Sequence, residues 1–280
     1  WVLPEYPALG RETRSRASEY RRRCPVKSSV QIAMGSLCCN AHQIDVIVAV
    51  CAYTVLILGT WRVDAVVKPF KLLAVFVHEG CHACACLATG GRVDGVEVNI
   101  NEGGVTRYRG GWRLCVTPAG YLGGALWAAI CTAVLDYRWG IFAVAASLGL
   151  ALLATLLSLL WTKRNDDRAT TGMLSVFFLG ICVFLAWASL EGGTVRLVAQ
   201  YVLLFVTTYV SVFSVYDIYD DCVRRYVNDA QTKSDAVVCA QLCPICPARG
   251  WGVVWLVISM GFWAGGVCFL VLHVGGHLNL

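Results

Sequence analysis

Apolar residues in this 280-residue chain come in long blocks with almost no charge. Seven blocks approach or reach the roughly 20 residues a helix needs to cross a bilayer. They are Val46–Trp61, Phe70–Thr89, Leu114–Leu135, Ile141–Trp161, Met173–Leu190, Val195–Tyr216 and Trp251–Val274. Lipid offers no water to backbone N–H and C=O groups, so a crossing segment must bond them internally, as a helix does. Trp61, Trp112, Trp139, Trp161 and Trp251 stand at block ends, where an interfacial aromatic belt belongs. Composition agrees: 58% of residues are hydrophobic and 15% charged, against about 45–50% and 25% in soluble domains. That balance excludes a disordered chain and argues against a soluble enzyme. The expected fold is an all-α polytopic membrane protein in one domain, residues 38–280.

Residues 1–37 read differently. Seven basic residues between Arg11 and Lys27, with Pro4, Pro7 and Pro25 and no period, predict a disordered arm. The sequence opens on Trp1, and no short signal sequence is expected before the first long block. A net charge of +5, thinly spread, gives no footing for nucleic acid.

With seven alternating spans, the arm (seven Lys and Arg), the Arg92–Arg113 loop (four), the Lys163–Arg168 loop (three) and the Arg224–Arg249 loop (four) share one side. Arg62, Lys68, Lys71, Arg138 and Arg196 take the other. The positive-inside rule then predicts a cytosolic N-terminus. The chain has 15 cysteines. Cys51, Cys84, Cys86, Cys131, Cys182 and Cys268 sit in apolar runs as small hydrophobes, so mostly reduced thiols are expected.

The second block carries the chemistry. His78, Glu79 and His82 form an H-E-x-x-H pattern in its centre. On a helix, positions i and i+4 share a face, so both imidazoles reach one metal ion, and Glu79 beside them is placed to take a proton from water. Two His with open positions suit zinc, Zn2+. A carboxyl group at bilayer depth costs on the order of 2.5–3.5 kcal/mol, which an idle Glu79 would not offset. The competing reading is a polar cluster gluing helices together.

A third protein ligand must come from another element. Asp217, Asp220 and Asp221 share one helical face at the end of the sixth span, with Asp217 nearest the membrane and the preferred ligand. Pairing of these acids with Arg224 and Arg225 is the plainer reading. Asp166 and Asp167 are weaker candidates.

After the metal helix, Val96, Val98 and Ile100, then Gly103-Gly104, then Val105 to Tyr108 predict a β-hairpin. Its edge could take up an extended substrate segment, or it is a plain loop. Pro118 permits a kink in the third span, and Gly120 with Gly124 gives a close-packing face that could hold this span against the metal helix. Cys243-Pro-Ile-Cys246, near Cys222 and Cys239, is a weak zinc or redox signal beside structural thiols or lipidation. His273 and His277 read as an interfacial helix end, and Asp45 and Asp64 need no function.

These residues resemble the site-2 protease family of intramembrane zinc metalloproteases, most closely its plant-type branch. The likeness is carried by Pro69-Phe-Lys-Leu-Leu with His78-Glu-Gly-Cys-His82, Asn101-Glu-Gly-Gly104, Pro118-Ala-Gly-Tyr-Leu-Gly123, Phe213-Ser-Val-Tyr-Asp-Ile-Tyr-Asp-Asp221 and Ser234-Asp235, across residues 38 to 274. The resemblance implies a zinc endopeptidase that cuts a transmembrane substrate within or near the bilayer. It implies zinc on His78, His82 and a distant aspartate, with Glu79 as general base. Better-known members supply the aspartate from an in-span Asp-Gly pair, which this chain lacks; Asp217 takes that role at a span end.

The first reading is therefore an intramembrane protease with a polar cavity open to the cytosolic side, its partners a membrane-protein substrate and the bilayer. The alternative is a catalytically silent scaffold or chaperone for membrane proteins. A metal transporter ranks last, because the other spans offer almost no polar path.

Overall fold

The computed structural model describes residues 40–137, 139–161, 168–224 and 234–274. The basic arm, Asp166, Asp167, Arg225 and His277 lie outside the described residues. Helices α1 (Ala41–Thr60) and α2 (Asp64–Ala88) precede an antiparallel hairpin of β1 (Arg92–Val98) and β2 (Gly104–Arg109). Then come α3 (Arg113–Ala133), α4 (Gly140–Trp161), α5 (Arg168–Glu191), α6 (Gly193–Asp217), a wider π-type turn (Ile218–Arg224), α7 (Asp235–Leu242) and α8 (Ala248–Val274). Seven of these helices are long and apolar enough to cross a membrane, and each overlaps one expected block. Large apolar side chains such as Val55, Leu150, Leu160, Met173 and Val183 point outward. That is costly in water and favourable against lipid.

Two apolar cores divide the bundle by depth. One joins α1, α3, α4, α5, α6 and α8 through Val46, Leu135, Ile141, Leu185, Leu203 and Leu270. The other surrounds α2 with residues such as Leu73, Phe76, Ala128, Phe178, Tyr209 and Phe213. We call these the far end and the site end. At the far end Gln43 donates from Nε2 to the Val271 carbonyl (3.0 Å), and Arg196 donates to the Tyr137 carbonyl (3.1 Å). His273, the helix-end histidine, pairs there with Asp136 (Nδ1 to Oδ2, 3.0 Å).

The path of α2 differs from the sequence expectation of strict alternation. Helix α1 starts at the far end and finishes with Trp61 against Tyr216, ring centroids 4.4 Å apart. Helix α2 then starts and ends at the site end. Near its start Lys71 reaches Glu102 of the hairpin turn (3.0 Å), and at its end Thr89 Oγ1 accepts the Trp112 N–H (3.0 Å). Residues 71–77 are buried all round. The block is apolar because protein surrounds it, and hydropathy alone does not separate that from lipid contact.

The hairpin follows the expected segment, with Val98 opposite Gly104 and Arg92 opposite Arg109, and a bulge at Asp94. Ile100 falls in the turn rather than the strand. Arg107 clasps buried Glu97 across the strands, Nη2 donating to Oε2 at 3.1 Å and Nε lying 3.0 Å from Oε1; a charge-assisted bond of this kind is stronger than a neutral one. Short α7 is seated by Ala236, Val237 and Cys239 in a third core with Tyr121, Ile218, Cys222 and Trp255.

Candidate metal centre

Helical spacing brings His78 and His82 onto one face of α2, their Nε2 atoms 3.1 Å apart. The carboxylate that meets them belongs to Asp235, the first residue of α7. Its Oδ2 lies 3.4 Å from His78 Nε2 and 3.1 Å from His82 Nε2. Among the described residues, this is the one group of three or more His, Cys, Asp or Glu donors that converges closely enough for a metal ion. Burial alone would raise the Asp235 carboxyl, but hydrogen bonding and charge from the two imidazoles hold it well below the usual carboxylate range.

The donor set fits zinc. A tetrahedral ion with bonds of about 2.0–2.2 Å sets its ligands roughly 3.3–3.5 Å apart, close to the three separations seen. His82 Nδ1 donates to the Val116 carbonyl at 2.7 Å. A neutral ring so fixed turns its Nε2 lone pair toward the shared point, as metal-binding histidines require. Gly120 keeps that point open, because a β-carbon on it would overlap Nε2 of both histidines. Two imidazoles and one carboxylate leave room for a fourth, non-protein ligand.

Asp217, the expected third ligand, is placed elsewhere. It lines the same cavity, with Asp221, but outside the converging group. Asp220 is buried and pairs with Arg224 at 2.6 Å, four residues on. Asp217 closes α6 and Asp220 lies in the π-type turn that follows, whereas Asp235 opens α7, the short helix packed against Tyr121 and Trp255 beside the histidines. Ser234-Asp235 was visible in the sequence, and a Ser before a short apolar run is a helix-start signal. It carried no metal signal, since a ligand from a separate short helix has no spacing relation to His78 and His82.

Glu79 is buried, 7% exposed. The Thr106 hydroxyl on β2 lies 2.6 Å from its Oε2 and 2.8 Å from its backbone carbonyl. Gly104 lies against the same carboxylate; a β-carbon there would come within 2.6 Å of Oε1. The cavity encloses about 540 Å³ and reaches from the histidines and Glu79 to β2 and the end of α6. The roles of Thr106, Gly104 and the Val116 carbonyl escaped the sequence reading.

Among the described residues, no metal-type group forms around Cys243 and Cys246, which frame the link from α7 to α8.

Bundle and site together define a multi-pass integral membrane protein with a metallopeptidase-type donor set. The chain belongs to the Peptidase M50B-like family, whose model matches residues 48–266 and so includes His78, Glu79, His82 and Asp235. No curated protein and no solved structure matches it. The family is one of zinc metalloproteases, in keeping with the donors found here.

Proposed function

We propose that this protein is an intramembrane zinc endopeptidase that cleaves a transmembrane substrate within or near the bilayer. The observation that carries the reading is the convergence of His78, His82 and Asp235 beside a buried Glu79. When bound, zinc supplies Lewis-acid polarisation of water and of the scissile carbonyl. The chain's own groups do the rest. Val116 fixes the His82 ring, Asp235 supplies the negative charge that balances a cation, and the Glu79 carboxylate accepts the proton of the attacking water and delivers it to the leaving amine.

The surroundings favour a peptide in extended form. Strand β2 pairs with β1 on one side only, and Gly104, Val105, Thr106 and Tyr108 border the cavity. An extended backbone laid along that edge would meet backbone donors and acceptors. Among the described residues, Arg196 is the only Lys or Arg at the far end. The positive-inside rule supports a cytosolic site end; because α1 starts at the far end, this reading reverses the cytosolic N-terminus expected from strict alternation of seven spans.

The test uses purified protein in liposomes with a single-span fusion protein tagged on both sides. Wild-type protein is expected to release a tagged fragment, and Glu79→Gln to lower the rate by about 100-fold or more. Equal cleavage by both would refute Glu79 as base. A silent scaffold would show no zinc-dependent cleavage at all.

A further inference from the structure

Glu79 has to hold its carboxylate toward the cavity, and among the described residues the side-chain hydrogen bond to it comes from the hairpin. Thr106 has one hydroxyl proton, and two acceptors lie within reach. The shorter contact, 2.6 Å, is to Glu79 Oε2, in the range of a charge-assisted O–H···O⁻ bond. The Glu79 carbonyl at 2.8 Å already lies in the helical ladder of α2 and needs the proton less. With Oε2 engaged and Oε1 against the bare α-carbon of Gly104, the carboxylate is held from two sides of one strand.

The hairpin is anchored in turn. Lys71, 5% exposed, bonds Glu102 in its turn, and Glu102 adopts a φ of 68° that a non-glycine residue rarely takes. The Lys71 ammonium also lies 5.3 Å from the Trp61 ring centroid. The turn that leads into Gly104 and Thr106 is thus fixed to α2, the helix that carries Glu79.

We infer that Thr106 is a positioning residue for the general base, holding Glu79 through its hydroxyl, with the Lys71–Glu102 pair fixing the strand that presents it. The inference rests on the protease reading. Both contacts of the Thr106 hydroxyl are to Glu79, so its hydroxyl acts through that residue.

The experiment measures kcat, KM and bound zinc for wild type, Thr106→Val, Thr106→Ser, Glu79→Gln and the Thr106→Val/Glu79→Gln double variant. All are assayed in liposomes on the tagged single-span fusion. Valine keeps the shape of threonine and removes the hydroxyl. Thr106→Val is expected to lower kcat about tenfold or more, with KM within about twofold and zinc content unchanged. Thr106→Ser should restore kcat, and the double variant should be no slower than Glu79→Gln. Wild-type turnover in Thr106→Val, with Glu79→Gln inactive, would overturn the positioning role alone. So would a loss that serine does not restore, or one that comes with lost zinc, since either marks a structural role. Undiminished cleavage by Glu79→Gln would instead overturn the protease reading itself.

Discussion

Gly120 occupies the place where any other residue would drive a β-carbon into both ligand nitrogens. In the sequence, Gly120 and Gly124 read as a small-residue face for packing against the metal helix. Gly124 does face Ser214 Oγ, 3.6 Å from where its β-carbon would be, but Gly120 shapes the metal pocket. Gly120→Ala should weaken zinc affinity by about 10–100-fold, the range seen when support around a metal is disturbed. Zinc competition with a chromophoric chelator checks this, and unchanged affinity would mean that the helices move apart freely. The histidines were legible because positions i and i+4 share a helical face, and Glu79 because it completes the H-E-x-x-H pattern beside them. Asp235 was not, because the distance along the chain from His82 to α7 carries no geometric information.

Helices α3 and α8 approach closely through Gly266. A β-carbon there would sit 2.6 Å from the Ala129 carbonyl oxygen. Gly266→Ala should therefore destabilise the fold by about 1–3 kcal/mol, as overpacking does in a dense core. Thermal unfolding in detergent measures it, and a melting point equal to wild type would show that α8 is loosely held. The seven apolar helices and the hairpin were legible from hydropathy and alternation. What hydropathy missed is the path of α2. Its residues 71–77 are hidden by protein on every side, and burial in protein selects the same residue types as burial in lipid. The π-type turn and the short α7 were also invisible, being too brief to leave a period.

Across the whole molecule, the ends of α3 and α8 and the start of α1 gather opposite the metal centre, and among the described residues every Lys and Arg except Arg196 lies at the metal-centre end. In the proposed topology, the connection at residues 134–137 lies across the membrane from the hairpin. An Asn-x-Ser/Thr acceptor placed in that connection should be glycosylated on insertion into microsomes, and one placed in the hairpin turn should not. The reverse pattern would invert the topology and move the metal centre to the opposite face. The converging His78, His82 and Asp235 donors remain the point on which the functional reading turns, and zinc content measured by elemental analysis addresses them without any substrate. Purified wild type and Asp217→Asn should each hold about one zinc per chain, while His78→Ala, His82→Ala and Asp235→Asn should hold little or none. Zinc retained by Asp235→Asn but lost from Asp217→Asn, or absent from the wild type when purified in excess zinc, would contradict the site.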